Sequence, residues 1–199
     1  MVLHIISDNP LFLFGISEKT NEELPNPARL SIKIHYSNFS EKEIDENDCI
    51  LICIYNKAIR MHALKRIVKI SSNIAIMVDS IFEQEMTSTY PMRVCKKITF
   101  SEILCLGKKM KRQPPPLKVC DHTYNIFADL YNGGSIRAIV EKKELNIITV
   151  YSLKQRIFKK FGLNNINDKG IIHCMEYLEI NRRLRKVMGK EPAYALPNA

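Results

Sequence analysis

Short apolar runs of strand type are confined to the first 96 residues of this chain, and beyond residue 117 apolar positions recur only at helical spacing. The runs are VLHII (Val2–Ile6), RLSIKIH (Arg29–His35), CILICI (Cys49–Ile54), NIAIMV (Asn73–Val78) and MRVCK (Met92–Lys96). RLSIKIH alternates with period two, whereas CILICI and NIAIMV are apolar throughout, the pattern of parallel strands buried on both faces. Pro10–Thr20, Asn56–Ile70 and Phe100–Met110 read as helices between them. Five strands alternating with five helices over about 110 residues predict an α/β, doubly wound parallel sheet. The switch to purely helical periodicity then predicts a second, all-α unit.

With 199 residues and 46% hydrophobic content, the chain is long enough for one large or two small domains with real cores. No run of about 18 apolar residues occurs, so no membrane-spanning helix and no membrane partner is expected. The opening MVLHIISDNPLFLF lacks a basic segment and carries Asp8, Asn9 and Pro10, which does not fit a secretory leader. Six cysteines (Cys49, Cys53, Cys95, Cys105, Cys120, Cys174) form no CxxC, and the spacings of Cys120 to His122 and of His173 to Cys174 suit zinc poorly. Reduced thiols and no metal are the expectation. The five histidines are scattered, with no Gly-rich phosphate loop and no GxSxG, so neither an enzyme nor a cofactor is indicated.

Charge divides the chain. Residues 1–107 hold 12 Lys+Arg against 13 Asp+Glu, while residues 108–199 hold 18 against 8. The second part is therefore the one suited to a polyanion. Between the two lies Lys108-Lys109-Met110-Lys111-Arg112-Gln113-Pro114-Pro115-Pro116, basic and then proline-rich, which reads as a semi-rigid hinge.

Helices are predicted over Asp121–Tyr131, stopped by Asn132-Gly133-Gly134, then from Ile136 behind a Ser135 cap, from Thr149 to about Phe161 with Gly162 as its stop, and over Asn167–Leu178. Two helices joined by a tight turn at Leu145-Asn146-Ile147, the second one basic, form a helix-turn-helix pattern. In the second helix Val150, Leu153, Ile157 and Phe161 make the buried stripe. Tyr151, Ser152, Gln155, Arg156 and Lys159 fall on the other faces. Arg182-Arg183-Leu184-Arg185-Lys186 then follows as a basic extension, and Glu191–Ala199 reads as a loose tail.

Two resemblances emerge. Ser7-Asp8-Asn9-Pro10-Leu11-Phe12 with Gly15 resembles the start of the receiver domains of LuxR/FixJ-type response regulators. Gly134-Ser135-Ile136-Arg137-Ala138-Ile139-Val140, Leu145-Asn146-Ile147-Ile148-Thr149-Val150 and Ile157-Phe158-Lys159-Lys160-Phe161-Gly162-Leu163 resemble, in order and spacing, the LuxR/FixJ (NarL)-type DNA-binding domain. The implied organisation is a degenerate receiver-like domain over 1–108, a linker over 109–118, a four-helix LuxR-type helix-turn-helix domain over 119–180, and an extension with tail over 181–199.

The receiver resemblance is broken where its chemistry would sit. The family holds Mg²⁺ with two acids after the first strand, but here Ser7 replaces one and only Asp8 remains. The phosphate-accepting position at the end of the third strand matches Cys53, and a soft thiol neither forms an acyl phosphate nor suits Mg²⁺. Val78-Asp79-Ser80 puts an acid at or beside the position that signals phosphate arrival, and Lys96 or Lys97 is the one feature retained. Cys53 is then a buried small hydrophobe in preference to a redox sensor.

In the DNA-binding family the base-reading positions map onto Tyr151, Ser152 and Gln155, and Gln can pair bidentately with adenine. Lys154, Arg156, Lys159 and Lys160, with Thr149 at the helix start, are implied for phosphates. The family often has Lys and His where this chain has Tyr151 and Leu153, so its operator does not carry over. The resemblance implies a bacterial, cytoplasmic regulator of the RcsA/BglJ kind. It would bind double-stranded DNA as a homodimer, or as a heterodimer with another response regulator, because one small module buries too little surface for a rare site. The alternative is an adaptor that modulates a partner regulator without useful DNA affinity.

Overall fold

The computed structural model describes residues 2–23, 30–78, 90–161, 163 and 168–188. Strands β1 (Val2–Ser7), β2 (Ser31–Tyr36), β3 (Cys49–Cys53), β4 (Ile74–Val78) and β5 (Met92–Cys95) form one sheet, all neighbours parallel, in the order β2-β1-β3-β4-β5. β3 and β4 are buried at every residue, which is why their sequences do not alternate. β2 is an edge strand with Lys33 and Tyr36 exposed, and its sequence does alternate.

Helices α1 (Pro10–Glu23), α2 (Lys57–Ile67) and α3 (Phe100–Met110) begin where side chains take up the first free N–H groups. Asn9 Oδ1 accepts from Leu11 and Phe12, and Asn56 Oδ1 from Ala58 and Ile59. Thr99 and Glu102 form a reciprocal capping box. Of the five helices expected in this half, three lie among the described residues; the polar β2–β3 connection holds only a 3-10 turn at Glu41–Glu43, and the β4–β5 connection falls on residues 79–89, outside the described residues. Residues 79–89, which include Asp79 and Ser80, lie outside the described residues, as do Arg29, Gly162, Asn167 and the tail from 189.

The second half comprises α4 (Asp121–Tyr131), α5 (Ile136–Lys143), α6 (Ile147–Lys160) and α7 (Asp168–Met188). At 21 residues α7 spans about 30 Å. It continues well past the expected end at Leu178 and absorbs the run Arg182–Lys186. No described helix is long and apolar enough to cross a membrane.

The two halves are not separate cores. One sheet face, with Leu3, Ile5, Leu51, Cys53 and Met77, packs on Leu13 and Ile16 of α1 and on Ile103, Leu106 and Met110 of α3. The opposite face, with Ile6, Ile50, Ile52, Ile74 and Ile76, belongs to a single apolar cluster that also takes in Leu64 and Ile67 of α2 and Cys174, Tyr177 and Leu178 of α7. The helical half thus seals the second face of the sheet. The proline-rich segment is hydrogen-bonded to both halves. Gln113 Oε1 accepts from Met92 N at 2.7 Å, Pro116 O accepts from Arg185 Nε at 3.1 Å, and Leu117 N donates to the fully buried Asn181.

Candidate nucleic-acid interface

The turn between α5 and α6 is built from three side-chain and backbone devices. Ser135 Oγ caps α5 by accepting from Ala138 N at 3.1 Å. Glu144 closes the helix in the left-handed region (φ 52°), and Leu145 N returns to Val140 O at 3.1 Å. Asn146 then caps α6, its Oδ1 accepting from Ile148 N at 2.8 Å. The helix therefore starts at Ile147 and not at Thr149, which sits exposed in its first turn. Ahead of α5, Gly134 donates to Asp129 O at 2.9 Å, and a Cβ there would stand 2.8 Å from that same oxygen.

α6 is divided lengthwise. Val150, Leu153, Ile157 and Phe158 are buried, with Phe161 just beyond the helix end, and Phe158 packs against Phe127 of α4. Tyr151, Ser152, Gln155, Arg156, Lys159 and Lys160 are exposed. Lys154 is not with them. It is 9% exposed, with its Nζ 5.8 Å from the Phe158 ring centroid, so the expectation that it faces phosphates is corrected. Its position one residue past Leu153 places it on the flank of the apolar stripe, turned toward α4 and α7.

Five other cations of this half are spent internally. Lys142 and Lys143 both pair with Asp129, at 3.3 and 3.1 Å, and hold its carboxyl below the usual range. Arg182 pairs with Asp121 at 2.8 Å and stacks on Tyr124, Arg183 pairs with Glu179, and Arg185 reaches Pro116. The basic extension, which could track DNA or only decorate a helix, lies on α7 with three of its arginines engaged by neighbouring acceptors. Among the described residues, Arg156, Lys159 and Lys160 have no carboxylate partner. Beside them lies a groove of about 360 Å³ lined by Lys118, Cys120, Arg156, Lys160 and Phe161. Cys120 precedes α4 there, and its hydrogen bond to Thr123, at 3.0 Å, is the main cause that lowers its thiol pKa.

At the carboxyl end of the sheet, Ser7 lies opposite Cys53 in the register and its hydroxyl donates to Cys53 O at 2.9 Å. Asp8 accepts from Tyr55 N and Asn56 N, so its carboxylate serves as a loop clamp. The Cys53 thiol is 2% exposed among α1-facing apolar side chains, and burial pushes its pKa up. Lys96 is exposed after β5. These residues do not fit a Mg²⁺ site. Among the described residues Asp8 is the single acid there, and no cluster of three potential metal ligands occurs among them.

Sequence reasoning missed the contacts between the halves. Arg60 of α2 and Glu176 of α7 pair in the interior, and Asn181 Nδ2 of α7 donates to Tyr90 O at 3.0 Å. No local signal marks them, since each partner lies far off in sequence.

No family model and no curated protein matches the chain. Among solved structures, a DNA complex of the two-component response regulator RcsB is similar at 14% identity, covering 89% of this chain and 98% of that one, with a TM-score of 0.49. RcsB from Salmonella enterica serovar Typhimurium bound to promoter rprA is similar at 15% identity, over 90% and 98%, with a TM-score of 0.45. The response regulator ChrA of a heme-sensing two-component system is similar at 16% identity, over 90% and 98%, with a TM-score of 0.33. At such values the likeness carries no argument about ligands or partners. The five-stranded parallel sheet followed by four helices stands on the topology itself.

Proposed function

We propose that this chain is a DNA-binding transcriptional regulator in which α6 enters the major groove and the receiver-like half works without phosphorylation. The supporting observation is the division of α6. Its apolar stripe is held by α4 and α7, while Tyr151, Ser152, Gln155, Arg156, Lys159 and Lys160 share the open side. Arg156, Lys159 and Lys160 contact phosphates and supply affinity, and Thr149 adds a contact near the helix start. Tyr151, Ser152 and Gln155 read base edges. The receiver-like half, residues 1–108, mediates pairing with a second copy or with another response regulator. Its Ser7, Asp8 and Cys53 support no acyl phosphate. The test is selection of bound duplexes from a random pool by the full chain and by Gln155→Ala. A preferred sequence that loses discrimination at one or two adjacent positions in the variant supports base reading by α6. Identical preferences in the two proteins contradict it.

A second reading, an adaptor acting through a partner regulator, is favoured by one feature. Ile147, Ile148 and Tyr151 leave 46%, 68% and 50% of their surface exposed at the start of α6, an apolar edge that suits protein as well as thymine methyls. Absence of any selected sequence, with retained regulation in cells, selects this reading.

A further inference from the structure

Where the two halves meet, a cavity of about 440 Å³ opens between Lys57 of α2, the end of α4 with Gly133 and Gly134, Lys154 of α6, and the start of α7. Its apolar lining comes from Leu130, Ile136 and Ile171, and no heavy atom stands within 4 Å of where a Cβ on Gly133 would lie. Two lysines face it from opposite halves of the chain. Lys57 Nζ sits 3.6 Å over the Tyr131 ring. Lys154 is nine-tenths buried, and among the described residues no carboxylate, carbonyl or hydroxyl hydrogen-bonds its Nζ. Its stem is held in the interior and the Phe158 ring lies 5.8 Å from Nζ, which leaves the ammonium to a ligand in the cavity.

We propose that this cavity binds a small organic anion, its phosphate or carboxylate head held between Lys57 and Lys154 and its apolar body against Leu130, Ile136 and Ile171. The size argues for an organic body. The cavity lies within the range of small-molecule sites, roughly 300–1,000 Å³, and exceeds what a bare inorganic anion fills. Lysine heads, as point charges on flexible stems, suit a phosphate or carboxylate. Asp168 is the one acid in the lining and is exposed, so the anionic head belongs at the lysine wall. The ligand bridges the receiver-like half to α6, since Lys154 is the residue immediately before Gln155. Such a site provides a chemical input that Cys53 and Asp8 cannot.

The test is calorimetric titration of the full chain, without DNA, with phenyl phosphate, benzoate and neutral benzyl alcohol. Saturable one-to-one binding of phenyl phosphate or benzoate is expected, whichever binds identifying the head group, with no saturation by benzyl alcohol. Lys154→Met, which keeps the buried stem, and Lys57→Gln should each weaken binding at least about tenfold. Should Lys154→Met fail to fold, Lys57→Gln alone decides, because Lys57 is only half-buried. Failure of both anions to saturate, benzyl alcohol binding as well as the anions, or unchanged affinity in the folded variants overturns the proposal. Because DNA is absent, the result is separate from whether α6 reads DNA.

Discussion

Arg60 of α2 and Glu176 of α7 meet in the interior, where Nε and Nη2 of the arginine both donate to Glu176 Oε1, at 3.0 and 2.8 Å. Glu176 is fully buried, and Arg60 Nη1 also donates to Ile54 O at 2.8 Å just past β3. One guanidinium thus joins the carboxyl end of the sheet to the longest helix of the other half.

Removing one partner of this pair strands a charge in a dry interior. Glu176→Leu or Arg60→Met alone should cost about 3–5 kcal/mol, and the double variant clearly less than the sum of the two. Urea denaturation of the full chain should show one cooperative transition for the wild type. Two separate transitions would contradict a shared core.

The buried His35 makes stability depend on pH. His4 Nδ1 and His35 Nε2 are 2.8 Å apart, and His4 Nε2 is 3.0 Å from Asp48 Oδ2. Burial lowers the His35 pKa from 6.5, with His4 and Lys33 adding to the shift and Glu43 opposing it. The unfolded chain then binds the proton more readily than the folded one, so stability rises with pH up to about 6.5 and is flat above it. Melting temperatures should fall as the pH drops below that value, and His35→Gln should reduce the slope. A slope identical in the variant would assign the loss to other groups.

The turn before α6 holds a glutamate where glycine is at ease. Glu144→Gly at φ 52° should stabilise the chain by up to about 1 kcal/mol, read from chemical denaturation. Gly134→Ala should do the reverse, by about 1–3 kcal/mol, since its Cβ meets Asp129 O at 2.8 Å.

Thiol reactivity should follow environment. Cys120 is exposed with a lowered pKa, whereas Cys49, Cys53 and Cys174 are buried with raised ones. Iodoacetamide at neutral pH should label Cys120 first and leave Cys53 intact in the folded protein. Early labelling of Cys53, read by peptide mass, would revive a redox role for it.

Local patterns announced most of the architecture. The runs at Cys49–Ile54 and Asn73–Val78 became β3 and β4 within a residue, and α3 and α4 fall on their expected bounds, because burial period and capping are short-range properties. The buried stripe of α6 was legible for the same reason. What stayed hidden depends on partners distant in sequence. The inward turn of Lys154, the engagement of Arg182 by Asp121 and of Arg185 by Pro116, and the hydrogen bonds of Gln113 and Leu117 are set by tertiary packing. A basic run looks the same in sequence whether it faces phosphates or its own carboxylates.

The central claim is that the exposed face of α6 meets the phosphate backbone, and a salt series tests it most directly. Fluorescence anisotropy of the full chain on duplex DNA should give an affinity that falls linearly with salt on logarithmic axes. Arg156→Ala combined with Lys159→Ala should lower that slope by about 2, close to one for each lost phosphate contact. Absence of binding at low salt, or a slope unchanged in the double variant, would contradict the account.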